Sequence, residues 1–96
     1  MYRIMLADDE GIVIDSLKFI IEKEFGDLCE IRYAKTGRSV IELAESFRPD
    51  IAVMDIQMPG INGIDAMKEI KKSNSSTVFI VVSGGRIVPQ CSSGNQ

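Results

Sequence analysis

Short apolar runs alternate with longer amphipathic stretches along this chain. Residues 3–7 form a β-like apolar run. Residues 12–25 then place Ile12, Val13, Leu17, Ile20, Ile21 and Phe25 at helical spacing, with Lys18, Glu22, Lys23 and Glu24 between them. Gly26 predicts the stop of that helix. A weaker strand covers 30–35 through Ile31, Tyr33 and Ala34. Thr36 predicts the cap of a helix over about 37–47, in which Val40, Ile41, Leu43, Ala44 and Phe47 share one face; Pro49 ends it. Residues 51–54 are a continuously apolar strand. Residues 63–73 read as a helix through Ile64, Met67 and Ile70, with Lys68, Glu69, Lys71 and Lys72 outward. After a polar loop at 73–76, residues 77–82 are the most β-rich run in the chain.

The order β-α-β-α-β-α-β predicts an α/β fold with a parallel sheet. The unbroken apolar runs at 51–54 and 78–82 fit strands covered on both faces by helices. The alternation stops after Ser83. Residues 84–96 have no helical period and end in small polar residues, so they read as an aberrant or disordered tail. Gly84-Gly85 is a hairpin signal, and residues 86–88 are able to add a short antiparallel strand beside 77–82, with Pro89 confining it to an edge. The chain thus divides into residues 1–83 and a tail, 84–96.

Composition narrows the function classes. Ninety-six residues make one domain at most, and 45% hydrophobic residues support a packed core. A net charge of −3 and a pI near 4.8 argue against nucleic-acid binding by this segment. No apolar run is long enough to span a membrane, and Asp8-Asp9-Glu10 interrupts the only early apolar stretch, so no signal peptide is expected. Cys29 and Cys91 stand in unlike contexts and fit free thiols in a reducing cytoplasm. The absence of histidine removes Ser-His-Asp and Cys-His triads and all histidine metal sites.

The candidate chemistry is carboxylate chemistry. Asp55 closes the apolar run 51–54 and enters the segment Gln57-Met58-Pro59-Gly60, and Asp8-Asp9-Glu10 closes the first strand. Strand C-termini of a parallel sheet converge on one edge, where ligands bind. Three carboxylates there repel one another, and a hard cation with oxygen ligands relieves the repulsion. The same placement lets Asp55 act as a nucleophile toward a phosphoryl donor. Asp8 and Asp9 also read as caps of the helix that follows; the two readings stay open. Glu10 reads as a solvated helix-start charge. Ser83 ends the fourth strand on the same edge, either as a hydroxyl facing a phosphoryl oxygen or as a turn-former before Gly84-Gly85. Gln57 offers a backbone carbonyl.

Taken in order, these motifs resemble the receiver domain of two-component response regulators. The resemblance runs from residue 1 to about 83. It rests on Asp8-Asp9 after the first strand, Asp55 46 residues beyond Asp9, Met58-Pro59-Gly60 with Gly63, and Ser83 28 residues beyond Asp55. Tyr2–Glu10 is also similar to regulators that carry an AraC-type DNA-binding output domain. The resemblance implies a flavodoxin-like fold with strand order 2-1-3-4-5 when complete. It implies Asp55 as phosphoacceptor from a sensor histidine kinase and Mg2+ held by Asp9, Asp8 through water, Asp55 and the Gln57 carbonyl. It implies Ser83 as the switch hydroxyl, and no enzymatic activity beyond Mg2+-dependent self-phosphorylation and dephosphorylation. The chain departs from that pattern after Ser83. The fourth helix, fifth strand and fifth helix are missing, as is the lysine that ends the fifth strand; Arg86 is too close behind Ser83 to take that place. A truncated receiver of this kind is expected to be impaired in phosphorylation. Two alternatives stand beside it. One is a self-associating interaction fragment, a homodimer or higher oligomer through the uncovered side of the fourth strand. The other is a phosphatase with an aspartate nucleophile, which wants a second acid where Gln57 stands.

Overall fold

The computed structural model describes residues 1–55, 57–58, 61–83 and 86–89. In chain order the elements are β1 (Tyr2–Ala7), α1 (Gly11–Phe25), a 3-10 turn (Gly26–Leu28), β2 (Cys29–Ala34), α2 (Gly37–Phe47) and β3 (Ile51–Asp55). There follow β4 (Gln57–Met58), β5 (Ile61–Asn62), α3 (Gly63–Ser73), β6 (Val78–Ser83) and β7 (Arg86–Pro89). Ile56, Pro59, Gly60, Gly84 and Gly85 lie outside the described residues, and with them the Met58-Pro59-Gly60 turn and the Gly84-Gly85 hairpin signal.

Five strands form one sheet in the order β2-β1-β3-β6-β7. The first four are mutually parallel, giving a flavodoxin-like α/β fold with β6 as the fourth strand of the parallel set. The crossover helix and parallel fifth strand of a complete receiver do not occur among the described residues. The fifth place in the sheet is taken by β7, which runs antiparallel to β6. Arg86 therefore begins this strand rather than ending it. β4 and β5 make a separate two-residue antiparallel pair, which the sequence pattern did not mark.

Strand alternation sorts the apolar side chains onto two faces. Met5, Ala7, Ala52, Met54 and Phe79 pack beneath α2 and α3, with Val40, Ala44, Phe47, Ala66 and Ile70. Ile4, Leu6 and Val53 face the other way and pack with Ile14 of α1. The expected apolar face of α1 needs correction. Ile14, Leu17 and Ile21 form the inward stripe, whereas Ile12, Ile20 and Phe25 are exposed. Eight apolar residues in this helix, Phe19 and Ile14 among them, are more than one 3.6-residue stripe can turn inward.

The helix ends follow local chemistry. Gly26 closes α1 at φ 56°, in the left-handed region a glycine occupies without Cβ strain. Thr36 and Ser39 form a reciprocal capping box at α2: the Thr36 Oγ1 accepts from the Ser39 N–H, and the Thr36 N–H donates to the Ser39 Oγ. The Asn62 side chain accepts from the Ile64 N–H at 2.7 Å and caps α3.

The edge of the sheet opposite the strand-end carboxylates is fixed by polar pins. The buried Pro49 carbonyl accepts from the Thr77 hydroxyl at 2.8 Å and from the Asn74 side-chain amide at 3.2 Å. Asp50 accepts the Arg3 N–H on its carboxylate, donates its own N–H to the Arg3 carbonyl, and gives its carbonyl to the Val78 N–H. Thr77 is thus a pin rather than the first strand residue, and β6 starts one residue later than the sequence pattern predicts. These bonds tie the entry of β3 to both of its neighbours.

Candidate functional site

The register carries the carboxylates together. β3 pairs with β1 so that Ala7 lies opposite Met54, and one residue further along are Asp8 and Asp55. One carboxylate oxygen from each of Asp8, Asp9 and Asp55 lies within 4.8 Å of the others. Asp8 is buried, Asp55 half-buried and Asp9 exposed.

Asp8 is held from both directions. Its backbone N–H donates to the Ala34 carbonyl at 3.2 Å, and its Oδ1 accepts the Glu10 N–H at 2.9 Å. Glu10 occupies the N-cap position of α1 with no side-chain cap bond, while its carbonyl receives the Val13 and Ile14 N–H groups. Neither aspartate caps α1 at its N-cap position; Asp8 closes a local turn just before it. Burial pushes the Asp8 carboxyl above the ordinary value of 3.8. The Glu10 N–H opposes that rise, and the charges of Asp55 and Asp9 add to it.

The donor set is all carboxylate oxygen, which suits a hard divalent cation and offers nothing to a soft one. A buried carboxyl whose ionised form is disfavoured by two neighbouring charges is also the site such a cation would relieve most. The residues fit Mg2+ on both counts.

Gln57 lies two residues past Asp55 in β4, and Ser83 is the last residue of β6. Val82, its neighbour, is the register partner of Asp55. The Gln57 and Ser83 side chains lie outside what the structure describes. Sequence reasoning gave Lys35 no part. The structure brings its ammonium within 3.4 Å of the point where a Cβ on Gly11 would stand, at the start of α1. The signal was the pairing of β1 with β2, which sets Ala34 opposite Ala7 and so Lys35 next to Asp8.

With this geometry in place, the family is decided by comparison. The family model for the response regulator receiver domain matches residues 4–91. The chain belongs to that family. It is 40% identical over 81 residues to the chemotaxis protein CheY of Thermotoga maritima, covering 84% of this chain and 66% of that protein. It is 38% identical over 84 residues to the uncharacterized transcriptional regulatory protein YesN of Bacillus subtilis, covering 88% of this chain and 23% of the relative. The response regulator domain of Thermotoga maritima CheB has a solved structure that superposes with a TM-score of 0.76 at 36% identity, covering 86% of this chain and 60% of that one. The chain therefore spans about a quarter to two thirds of the length of these relatives. The fold of this receiver is the one its sequence pattern implies. No helix among the described residues is long and apolar enough to cross a membrane.

Proposed function

We propose that this receiver takes a phosphoryl group on Asp55 from the phosphohistidine of a sensor histidine kinase. The observation that carries the reading is the placement of Asp55. It is the last residue of a strand pinned between two neighbours, and its carboxylate stands with those of Asp8 and Asp9 at the edge where the parallel strands end. An Asp55 oxygen attacks phosphorus, an O–P bond forms as the P–N bond to the imidazole breaks, and the imidazole leaves with a proton. Bound Mg2+ would screen the repulsion between the carboxylates and the incoming phosphoryl oxygens. Asp9, Asp55 and the Gln57 backbone carbonyl would hold it directly, and Asp8 through water. Ser83, beside the residue paired with Asp55, is assigned the hydroxyl that meets the phosphoryl group.

On this reading residues 1–83 are the receiver core and 84–96 a tail that contributes its edge strand. The module is cytoplasmic and does not itself bind nucleic acid or membrane. Its output is transcriptional, in line with the description of YesN as a transcriptional regulatory protein. Intact mass after incubation with acetyl phosphate and Mg2+ tests the reading. One phosphoryl addition on the wild type and none on Asp55→Asn is expected. Addition to Asp55→Asn would reassign the acceptor, and no addition to the wild type would favour the interaction-fragment reading.

A further inference from the structure

The two faces of the sheet are covered unequally. Among the described residues α2 and α3 share one face, and α1 alone packs on the other. The α1 side of β6 carries Val78, Ile80 and Val82, with Val78 55% exposed and the other two half-covered. The backbone of β7 lies beyond β6 at the sheet edge. Two strands about 4.8 Å apart make a floor about 10 Å wide, the diameter of one helix.

α1 has a matching surplus. At 3.6 residues per turn, Ile12 and Phe19 lie opposite the inward stripe of Ile14, Leu17 and Ile21, and Val13 and Ile20 lie on one flank between them. Gly11 is on the other flank and faces Lys35, which follows β2. The flank of Val13 and Ile20 therefore faces β6 and walls the uncovered floor. Ile12 is 75% exposed, Phe19 66% and Ile20 55%. Ser16, between Ile12 and Phe19, donates its hydroxyl to the Ile12 carbonyl at 2.8 Å and so brings no unpaired donor to this surface. Asp15, Lys18 and Glu22 fall on the Gly11 side, away from it.

We infer that a second copy of this chain covers the floor, each copy laying the outer face of its α1 on the β6 floor of the other. A two-fold axis running along the helices places α1 and its counterpart side by side between the two sheets. Val13 and Ile20 of each then meet the same residues of the other, and Ile12 and Phe19 reach the partner's floor. The lengths agree: Ile12 to Phe19 is about 10.5 Å along the helix, and Val82 to Val78 about 13 Å along the strand. These seven side chains offer about 600 Å2 per copy and about 1,200 Å2 in all, which reaches the range of specific interfaces. One arrangement thus covers the helix surplus and the bare strand together. It does not rest on the phosphoacceptor reading, and it leaves the acidic edge open.

Sedimentation of the full chain at several concentrations, for the wild type, Phe19→Lys, Val78→Lys and Ile64→Lys, tests the inference. Ile64 is an exposed residue of α3, on the other face. A wild-type dimer is expected. Phe19→Lys and Val78→Lys should each raise its dissociation constant at least about tenfold, and Ile64→Lys should leave it unchanged. In a second experiment Phe19→Cys is mixed with Val78→Cys under oxidation, and disulfides are assigned by peptide mass. A bond between positions 19 and 78 of different copies is expected. A wild type that stays monomeric at high concentration overturns the inference. So does a dimer that Val78→Lys disperses and Phe19→Lys does not, or oxidation that joins only position 78 to position 78, since either would mean that the floors pair without α1. Circular dichroism checks each fold; should Val78→Lys not fold, Phe19→Lys and the disulfide decide, because Phe19 is exposed.

Discussion

Replacing Asp8 with asparagine should stabilise this protein when no divalent cation is present. The change keeps the shape of the side chain and its acceptor for the Glu10 N–H, and removes one buried charge. The carboxylate oxygens lie within 4.8 Å of one another, and at that limit two like charges repel by about 1 kcal/mol in a water-like medium and by about 3.5 kcal/mol at an effective dielectric constant near 20. Asp9 is exposed and Asp55 half-buried, so both pairs are screened below the upper figure. We expect a net gain of about 1–3 kcal/mol for Asp8→Asn at neutral pH, each kcal/mol raising Tm by about 4–8 °C in a domain of this size. The pH dependence has a fixed sign. The folded pKa of Asp8 lies above 3.8, so the folded state binds more protons than the unfolded state between those two values. Wild-type stability therefore falls as pH rises through that window. The advantage of Asp8→Asn is full above the folded pKa and vanishes below 3.8. Urea denaturation of both proteins in EDTA, at neutral and strongly acidic pH, measures it. Millimolar Mg2+ should then narrow the gap at neutral pH, because the ion stabilises the wild type more than the variant. An Asp8→Asn protein less stable than wild type in EDTA at neutral pH, or one whose advantage persists in acid, would refute the charge-crowding account.

Asp9→Ala should weaken Mg2+ binding several-fold in a calorimetric titration while leaving the fold intact, since its side chain is exposed. Chelation by EDTA should stop phosphoryl uptake from acetyl phosphate, and re-added Mg2+ should restore it. Leu6, fully buried under α1, should cost about 2–5 kcal/mol as Leu6→Ala in chemical denaturation. On the face of β6 turned from α2 and α3, Val78 is 55% exposed and Ile80 and Val82 only half-covered. Sedimentation should show a concentration-dependent dimer or larger species that Val78→Lys disperses.

Much of the fold was legible because the strands are strongly apolar and the helix ends carry local chemistry. Thr36, Gly26 and Pro49 each marked a boundary by a mechanism confined to a few residues. The acidic cluster was legible for a different reason: in a parallel sheet any residue that ends a strand goes to one edge. What escaped were features set by distant partners. Thr77 reads as a strand residue by propensity, but the Pro49 carbonyl claims its hydroxyl across 28 residues of chain. The α1 stripe was misread because so many of its residues are apolar that only the packing on β1 and β2 selects Ile14, Leu17 and Ile21. Lys35 gained its position from the pairing of β1 with β2, which a list of motifs along one chain does not contain, whereas the antiparallel edge strand begun by Arg86 was marked by the Gly84-Gly85 signal before it.

The pins and the acidic site belong to one device. A one-residue slip of β3 against β1 and β6 would turn every side chain of β3 to the opposite face. Asp55 would then leave Asp8 and Asp9, and the repulsion among the three would be relieved at once. Repulsion at the C-terminal edge therefore favours slippage, and something must oppose it. The Pro49 carbonyl with Thr77 and Asn74, and Asp50 with Arg3 and Val78, oppose it at the other end of the same strand. The two bonds to the Pro49 carbonyl are buried, and a buried bond costs about 1–3 kcal/mol when a partner is left unsatisfied, which is the same scale as the repulsion they resist. Thr77→Val keeps the shape and removes the pin. It should lower stability most at neutral pH in EDTA, where the carboxylates are charged and uncompensated, and least with Mg2+ present. A loss independent of Mg2+ would separate the pins from the site and leave them as ordinary supports of the sheet.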